Sequence, residues 1–310
     1  MRVSAYIKIA RPDDWIKNVF VLPGVILAWF FDPGLFGWWD LGRVGLGLVA
    51  ICLIASSYYV LNEILDAEKD RHHPIKRFRP IPMGEVRLPV AWMEYGVLGL
   101  VGLALSFWID VRFGAAALML WVMGALYNVP PIRLKDVPYA DVLSESVNNP
   151  LRMALGWYST GCNLLPPLTV LLAYWMFGAF LMAVKRLAEY RQIGNAEVAA
   201  NYRKSFQHYN EERLTESIFF YAALFGMLAG VFMARYRLEL VLATPFVALA
   251  MAYYLHLGYK PDSGAQYPEH LYREKKLMML VALAFGSCVA LLFVNLPWLY
   301  DLVSPTHFRR

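Results

Sequence analysis

Of 310 residues, 59% are hydrophobic and only 17% charged, with a formal net charge of +5. Soluble domains carry about 25% charged residues, so this balance excludes a soluble globular enzyme. It points to an integral membrane protein with no nucleic-acid partner. Three cysteines, Cys52, Cys162 and Cys288, lie far apart in or beside apolar runs and suggest neither a disulfide framework nor a metal-ligand spacing.

Hydropathy predicts about nine apolar runs of spanning length or near it. They lie near residues 18–38, 43–62, 88–109, 113–128, 139–160, 165–184, 215–235, 238–257 and 277–297. Asp32-Pro33-Gly34 interrupts the first, and the fourth and fifth are short or polar. The longest polar interval, Lys185 to Leu214, is too short for a soluble domain. The expected fold class is therefore an all-α integral membrane protein, one polytopic domain over residues 1–310.

Basic residues Arg2, Lys8, Arg11 and Lys17 precede the first run much as in a secretory signal. Asp13 and Asp14 interrupt them and no small-x-small cleavage site follows, so a retained first helix is expected. Basic residues concentrate at the N-terminus and in the intervals 63–87, 129–138, 185–214 and 258–276. This bias predicts a cytoplasmic N-terminus and, with nine crossings, an external C-terminus. A transporter more often carries polar residues at mid-span and an internal repeat; here the carboxylates cluster at helix ends on one side.

The polar pieces follow in chain order. Arg11-Pro12-Asp13-Asp14-Trp15-Ile16-Lys17-Asn18 opens the first span, with Trp15 suited to the membrane interface and Lys17 and Asn18 placed to face an interior. The central stretch is Leu61 to Pro82, where Asn62, Asp66 and Asp70 recur every four residues. On a helix they share nearly one face, roughly 6 Å apart along the axis. Two carboxylates and an amide so placed, with Lys76, Arg77 and Arg79 just behind, suit a divalent cation and a phosphorylated ligand. The alternative is a solvated charged loop. Glu63 and Glu68 point to other faces, and His72 and His73 lack a second ligand pair at zinc spacing.

Tyr127 to Asp136 is a proline-bearing turn that includes Lys135. Asp141, Ser144, Glu145, Asn148, Asn149 and Arg152 then place polar groups within an embedded segment, where they should face a cavity or one another. A purely structural Arg152–Glu145 or Arg152–Asp141 pair is one reading. Lys185 and Glu189 form an i, i+4 pair beside Arg186, and Arg203 to Tyr209 offers further phosphate or hydroxyl contacts. Arg235, Arg237, Arg273, Lys275 and Lys276 read as flanking anchors.

Asn62-x₃-Asp66-x₃-Asp70, followed by Lys76-Arg77 and Arg79-Pro80, resembles the first aspartate-rich motif of the UbiA superfamily of membrane prenyltransferases. Arg11-Pro12-x₂-Trp15-x-Lys17-Asn18, His73-Pro74-x-Lys76-Arg77-Phe78-Arg79-Pro80 and Lys185-Arg186-x₂-Glu189 are similar to its decaprenyl-phosphate phosphoribosyltransferase branch. Two departures are Glu63, where the branch commonly has Asp, and the polar Val147-Asn148-Asn149-Pro150 stretch.

The resemblance implies about nine transmembrane helices around a central cavity, with Mg²⁺ bridging a diphosphate. It implies transfer of 5-phosphoribose from phosphoribosyl diphosphate to a polyprenyl, decaprenyl-type phosphate, at the cytoplasmic face of the plasma (inner) membrane in cell-wall biogenesis. Asp66 and Asp70, helped by Asn62, are the implied metal ligands. Lys17, Lys185 and Glu189 join the two aspartates as catalytic candidates. Asn18, Asn62, Lys76, Arg77, Arg79, Lys135, Asp141, Arg152, Arg186 and Tyr209 are the substrate-binding candidates. An aromatic prenyltransferase using a polyprenyl diphosphate, and a lipid-phosphate transporter or binding protein, stand as alternatives. Homo-oligomerisation is left open.

Overall fold

The apolar run from Val44 passes into the Asn62–Asp70 series without a glycine or proline between them, so one helix carries both. In the computed structural model, which describes residues 3–35, 37–71, 76–260, 271 and 273–303, this helix runs from Trp38 to Arg71, 34 residues. At 1.5 Å per residue it is about 51 Å long, against ~30 Å of bilayer hydrocarbon. Its polar end therefore extends beyond the apolar layer.

The chain forms two compact units, residues 1–166 and 167–310. In the first, α1 (Val3–Ile9) leads through a 3₁₀ segment, Pro12–Val21, into α2 (Leu22–Phe31). Then come the long helix α3 (Trp38–Arg71), α4 (Leu88–Ile109), α5 (Val111–Asn128), α6 (Ala140–Ser146) and α7 (Asn148–Ser159). The α4–α5 junction is a sharp one: Asp110 leaves helical geometry and its carboxylate accepts from Arg112 N–H (2.7 Å) and Phe113 N–H (3.1 Å). One apolar cluster joins Val21, Val25, Ile51, Ile54, Phe113, Leu120 and Leu155. A second joins Ala5, Ile9, Val60, Ile81, Val86 and Ala91, and so ties α1 and the segment after α3 to the polar end of α3.

Helices α2 and α7 touch backbone to backbone. A Cβ on Gly24 would stand 1.8 Å from the Met153 carbonyl oxygen, and one on Gly156 would stand 2.1 Å from that of Val21. Small residues let membrane helices approach this closely, and van der Waals contact then holds them. Gly24→Ala and Gly156→Ala are each expected to lower stability by about 1–3 kcal/mol through overpacking. Thermal unfolding in detergent checks this, and an unchanged midpoint would contradict the close approach.

The second unit holds α8 (Leu168–Ile193), α9 (Ala196–Tyr202), α10 (Glu211–Tyr236), α11 (Thr244–Tyr259), α12 (Lys275–Phe293) and α13 (Pro297–Val303). Gly194, with φ 65°, ends α8, and the side chains of Asn195 and Asn210 cap the starts of α9 and α10. Arg237 and the fully buried Glu239 fasten the α10–α11 turn to the end of α12. Arg237 donates to the Leu291 and Val294 carbonyls, and Glu239 accepts from Leu296 N–H and Tyr300.

The expected all-α, multi-pass membrane fold is the one adopted, with no strand among the described residues. Eight helical segments there are long and apolar enough to span. The expected fifth run, 139–160, differs: it is folded as the short helices α6 and α7. Its polar residues and Pro150 interrupt the apolar length a spanning helix needs. The external C-terminus rested on nine crossings, and residues 304–310 lie outside the described ones. Trp92, Leu100, Val101 and Trp108 leave α4 with an apolar outer face that suits lipid rather than water.

Candidate active site

The candidate site in the first unit is built on the polar end of α3. Asn62, Asp66 and Asp70 stand one helical turn apart along one face. The α5–α6 turn, which contains the cis Pro130–Pro131 bond, folds back over them. Arg133 there adopts the left-handed region, φ 34°, an uncommon conformation for a side chain of its size.

The turn delivers two cations to Asp66. Lys135 Nζ donates to Oδ1 and Oδ2 at 2.8 and 2.7 Å, and Arg133 Nη2 donates to Oδ1 at 2.6 Å. Lys135 also donates to Asn128 Oδ1 at 2.9 Å, and Asn62 Nδ2 donates to the same oxygen at 2.5 Å. Asn128 in turn donates to the Gly124 carbonyl at 2.9 Å, so its orientation is fixed. Arg133 Nε also lies 3.1 Å from Asp136 Oδ2.

Asp70 is buried and accepts from Arg79 Nη1 at 2.6 Å. The segment bearing Arg79 is held by Glu63, which is 1% exposed and accepts from Ile81 N–H at 3.1 Å. Arg11 Nη2 lies 3.8 Å from Glu63, and its guanidinium sits over the Tyr59 ring. Glu63 therefore points away from the Asn62–Asp70 face, as expected, but towards a structural task. Arg77 is exposed and stacks on Phe78, while Lys76 is half-buried in the same 3₁₀ turn. His72, His73 and Pro74 lie outside the described residues.

A second polar group lies around α7. Arg152 Nε donates to Asn18 Oδ1 at 3.1 Å and Nη2 donates to Tyr58 Oη at 2.8 Å. Asn18 Nδ2 donates to Cys52 Sγ at 3.2 Å. Beside the structural reading of an Arg152 pair with Glu145 or Asp141, Arg152 thus also holds neutral partners from the 3₁₀ segment and α3. Asp141 is fully buried at the start of α6, and Lys17 is paired with Asp14 at 2.7 Å. Tyr58 precedes Asn62 by one turn, so the four-residue series extends from 58 to 70 and connects the two groups.

In the second unit, Arg186 Nη1 donates to Glu189 Oε2 at 2.9 Å, while Lys185 Nζ is 4.0 Å from Glu189 Oε1. The i, i+3 contact is thus tighter than the i, i+4 one. Tyr209 is buried edge-on against Phe206, which also meets Tyr190.

Sequence reasoning missed Arg133, Asn128 and Tyr58 as site residues. The first two stood in the quoted turn, and Tyr58 was legible as an earlier member of the four-residue series. The donor set suits Mg²⁺, which takes one or two carboxylates and keeps waters or phosphate oxygens elsewhere. Its donors are carboxylate and amide oxygens, whereas Zn²⁺ sites are built mainly from Cys and His. Cations pair with both carboxylates: Arg133 and Lys135 with Asp66, and Arg79 with Asp70.

The UbiA prenyltransferase family matches residues 19–272. The decaprenyl-phosphate phosphoribosyltransferase of Mycolicibacterium smegmatis is 32% identical over 215 residues, an alignment spanning 68% of this chain and 64% of that protein. That of Corynebacterium glutamicum is 29% identical over 305 residues, 94% of this chain and 87% of the relative. A solved UbiA homolog from Archaeoglobus fulgidus, bound to GPP and Mg²⁺, superposes with a TM-score of 0.70 at 21% identity, covering 94% of this chain and all of that one. With the family match over most of its length and the same fold, the chain belongs to the UbiA prenyltransferase family and groups there with the decaprenyl-phosphate phosphoribosyltransferases.

Proposed function

We propose that the protein is a Mg²⁺-dependent transferase that moves 5-phosphoribose from phosphoribosyl diphosphate to a polyprenyl phosphate, releasing diphosphate. The observation that carries this reading is the Asp66–Asp70 pair on α3, faced by Arg133, Lys135 and Arg79. The names of the branch relatives supply the acceptor, decaprenyl phosphate, and the transferred phosphoribosyl group.

Asp66 and Asp70 would hold the metal, with Asn62 steadying the arrangement through Asn128. Bound there, Mg²⁺ supplies Lewis-acid stabilisation of the diphosphate charge. Arg133, Lys135 and Arg79 offset the negative charge that grows as the ribose C1–O bond breaks, and preorganised donors of this kind contribute most in a water-poor site. The acceptor phosphate is already ionised, so no strong general base is needed. Lys17, Asn18, Lys76, Arg77, Asp141 and Arg152 are assigned to substrate contacts in the first unit. Lys185, Arg186, Glu189 and Tyr209 are assigned to the ribose and its 5-phosphate on their motif alone. We place the N-terminus and the polar end of α3 at the cytoplasmic face of the plasma membrane, where a water-soluble donor arrives, and read the whole chain as one polytopic domain.

Purified protein given Mg²⁺, labelled phosphoribosyl diphosphate and decaprenyl phosphate is expected to yield labelled lipid and free diphosphate. No labelled lipid, with prenylation of an aromatic acid from a polyprenyl diphosphate instead, would overturn the assignment.

A further inference from the structure

We propose that Arg133, Lys135 and Arg79 are exchangeable counter-ions: they pair with Asp66 and Asp70 and pass to phosphate oxygens when metal and diphosphate bind. Metal and diphosphate then enter only as a pair. The inference rests on the reading of this site as a metal–diphosphate site, and it adds how that site discriminates against either ligand alone.

The geometry carries it. Both oxygens of Asp66 already accept charge-assisted hydrogen bonds, three in all, at 2.6 to 2.8 Å. Asp70 Oδ2 accepts one at 2.6 Å. A bare Mg²⁺ would have to approach these oxygens to about 2.0–2.1 Å. It would there displace an ammonium and two guanidiniums into a partly buried space where Arg133 keeps a second carboxylate in reach, Asp136 at 3.1 Å. Three cations and a dication would then face the carboxylates of Asp66, Asp70 and Asp136, an excess of about two positive charges whose repulsion is large in a site shielded from water.

A diphosphate reverses the balance, because its oxygens accept the displaced heads. Guanidinium forks fit phosphate oxygens as well as they fit carboxylates. The side chains are anchored so that only their heads need move. The Arg133 backbone N–H is bonded to the Val129 carbonyl at 2.9 Å, and Asn128, fixed by Gly124 and Asn62, gives Lys135 Nζ a second acceptor when Asp66 lets go.

Coupling of this kind is reciprocal, so each ligand strengthens the other by the same factor, typically about 5–150-fold. The cations also serve the free protein, since two carboxylates one turn apart would otherwise repel and fray the end of α3.

The test reads Mn²⁺ binding by the loss of its free electron paramagnetic resonance signal, with protein in detergent and no donor present. Wild type is expected to bind Mn²⁺ alone weakly and preformed Mn²⁺–inorganic diphosphate at least about tenfold more tightly. Lys135→Met and Arg133→Gln are expected to bind Mn²⁺ alone about tenfold more tightly than wild type and to lose the gain from diphosphate. Arg79→Gln, at the other carboxylate, gives an independent second case. Far-ultraviolet circular dichroism and the unfolding midpoint confirm that each variant is folded. Wild type binding Mn²⁺ as tightly without diphosphate as with it, or variants whose affinity for Mn²⁺ alone does not rise, would overturn the exchange while leaving the metal site standing. No Mn²⁺ binding in any arm would overturn both. Failure of phosphoribosyl transfer leaves the binding results unaffected, because the probe is inorganic diphosphate.

Discussion

Asp66→Asn and Asp70→Asn are each expected to reduce turnover by at least about 10²–10³-fold, the loss typical when a preorganised electrostatic contact to the developing charge is removed. Asparagine keeps the shape and one acceptor oxygen of each carboxylate but removes the charge that holds the metal. The two variants should differ in stability. At position 66 the amide leaves Arg133 and Lys135, both largely buried, facing a neutral group, whereas at position 70 it leaves only Arg79, whose side chain is 25% exposed. Asp66→Asn should therefore lower the unfolding midpoint more than Asp70→Asn. Steady-state assays with labelled phosphoribosyl diphosphate, run beside circular dichroism, separate the two effects. Wild-type turnover in either variant would sink the metal assignment.

The second large effect belongs to a residue that touches neither metal nor substrate. Glu63 is enclosed beside the site and holds two groups at once, the Ile81 amide and the Arg11 guanidinium. Glu63→Leu would leave one buried N–H without its acceptor and remove the carboxylate beside Arg11, whose side chain is 23% exposed. Leaving the buried Ile81 N–H unsatisfied costs about 1–3 kcal/mol, and the lost carboxylate beside Arg11 adds to it. Glu63→Gln keeps an acceptor for Ile81 and should cost about 1–2 kcal/mol. Adding Arg11→Met to Glu63→Leu should recover part of the loss, since the cation that lost its carboxylate is then gone. Thermal unfolding in detergent measures all four proteins, and a Glu63→Leu midpoint equal to wild type would show that the network carries no load. Because Ile81 fixes the segment that bears Arg79, turnover of folded Glu63→Leu should fall as well.

The α3 part of this picture was legible in the sequence. A four-residue period of Asn and Asp at the end of an apolar run fixes both a helix and a shared face, because helix geometry is local. The all-α membrane class followed from composition for a similar reason: in lipid every backbone group must be satisfied within its own helix. What stayed hidden depends on how distant segments meet. Arg133 reaches Asp66 across 67 positions in the chain, through a turn whose left-handed residue nothing in the local sequence announces. Arg152 reaches Asn18 and Tyr58, 134 and 94 positions away, because α7 lies against the 3₁₀ segment and α3. The reading of 139–160 as one uninterrupted run missed on the same ground: hydropathy weighs average apolarity, whereas the helix is broken at one place, Val147, between Ser146 and Asn148.

The backbone contact between α2 and α7 bears on the chemistry from outside it. Gly24 sits against Met153, next to Arg152 in sequence, and Gly156 sits against Val21, three residues beyond Asn18. The two glycines act as a pair of notches that set α7 lengthwise against the entry segment. A slide of one residue, about 1.5 Å along the axis, would drive a carbonyl into a neighbouring side chain at both notches. The Arg152–Asn18 bond is thereby gauged by residues that carry no polar side chain at all. Enlarging either glycine should misplace a guanidinium before it unfolds a helix.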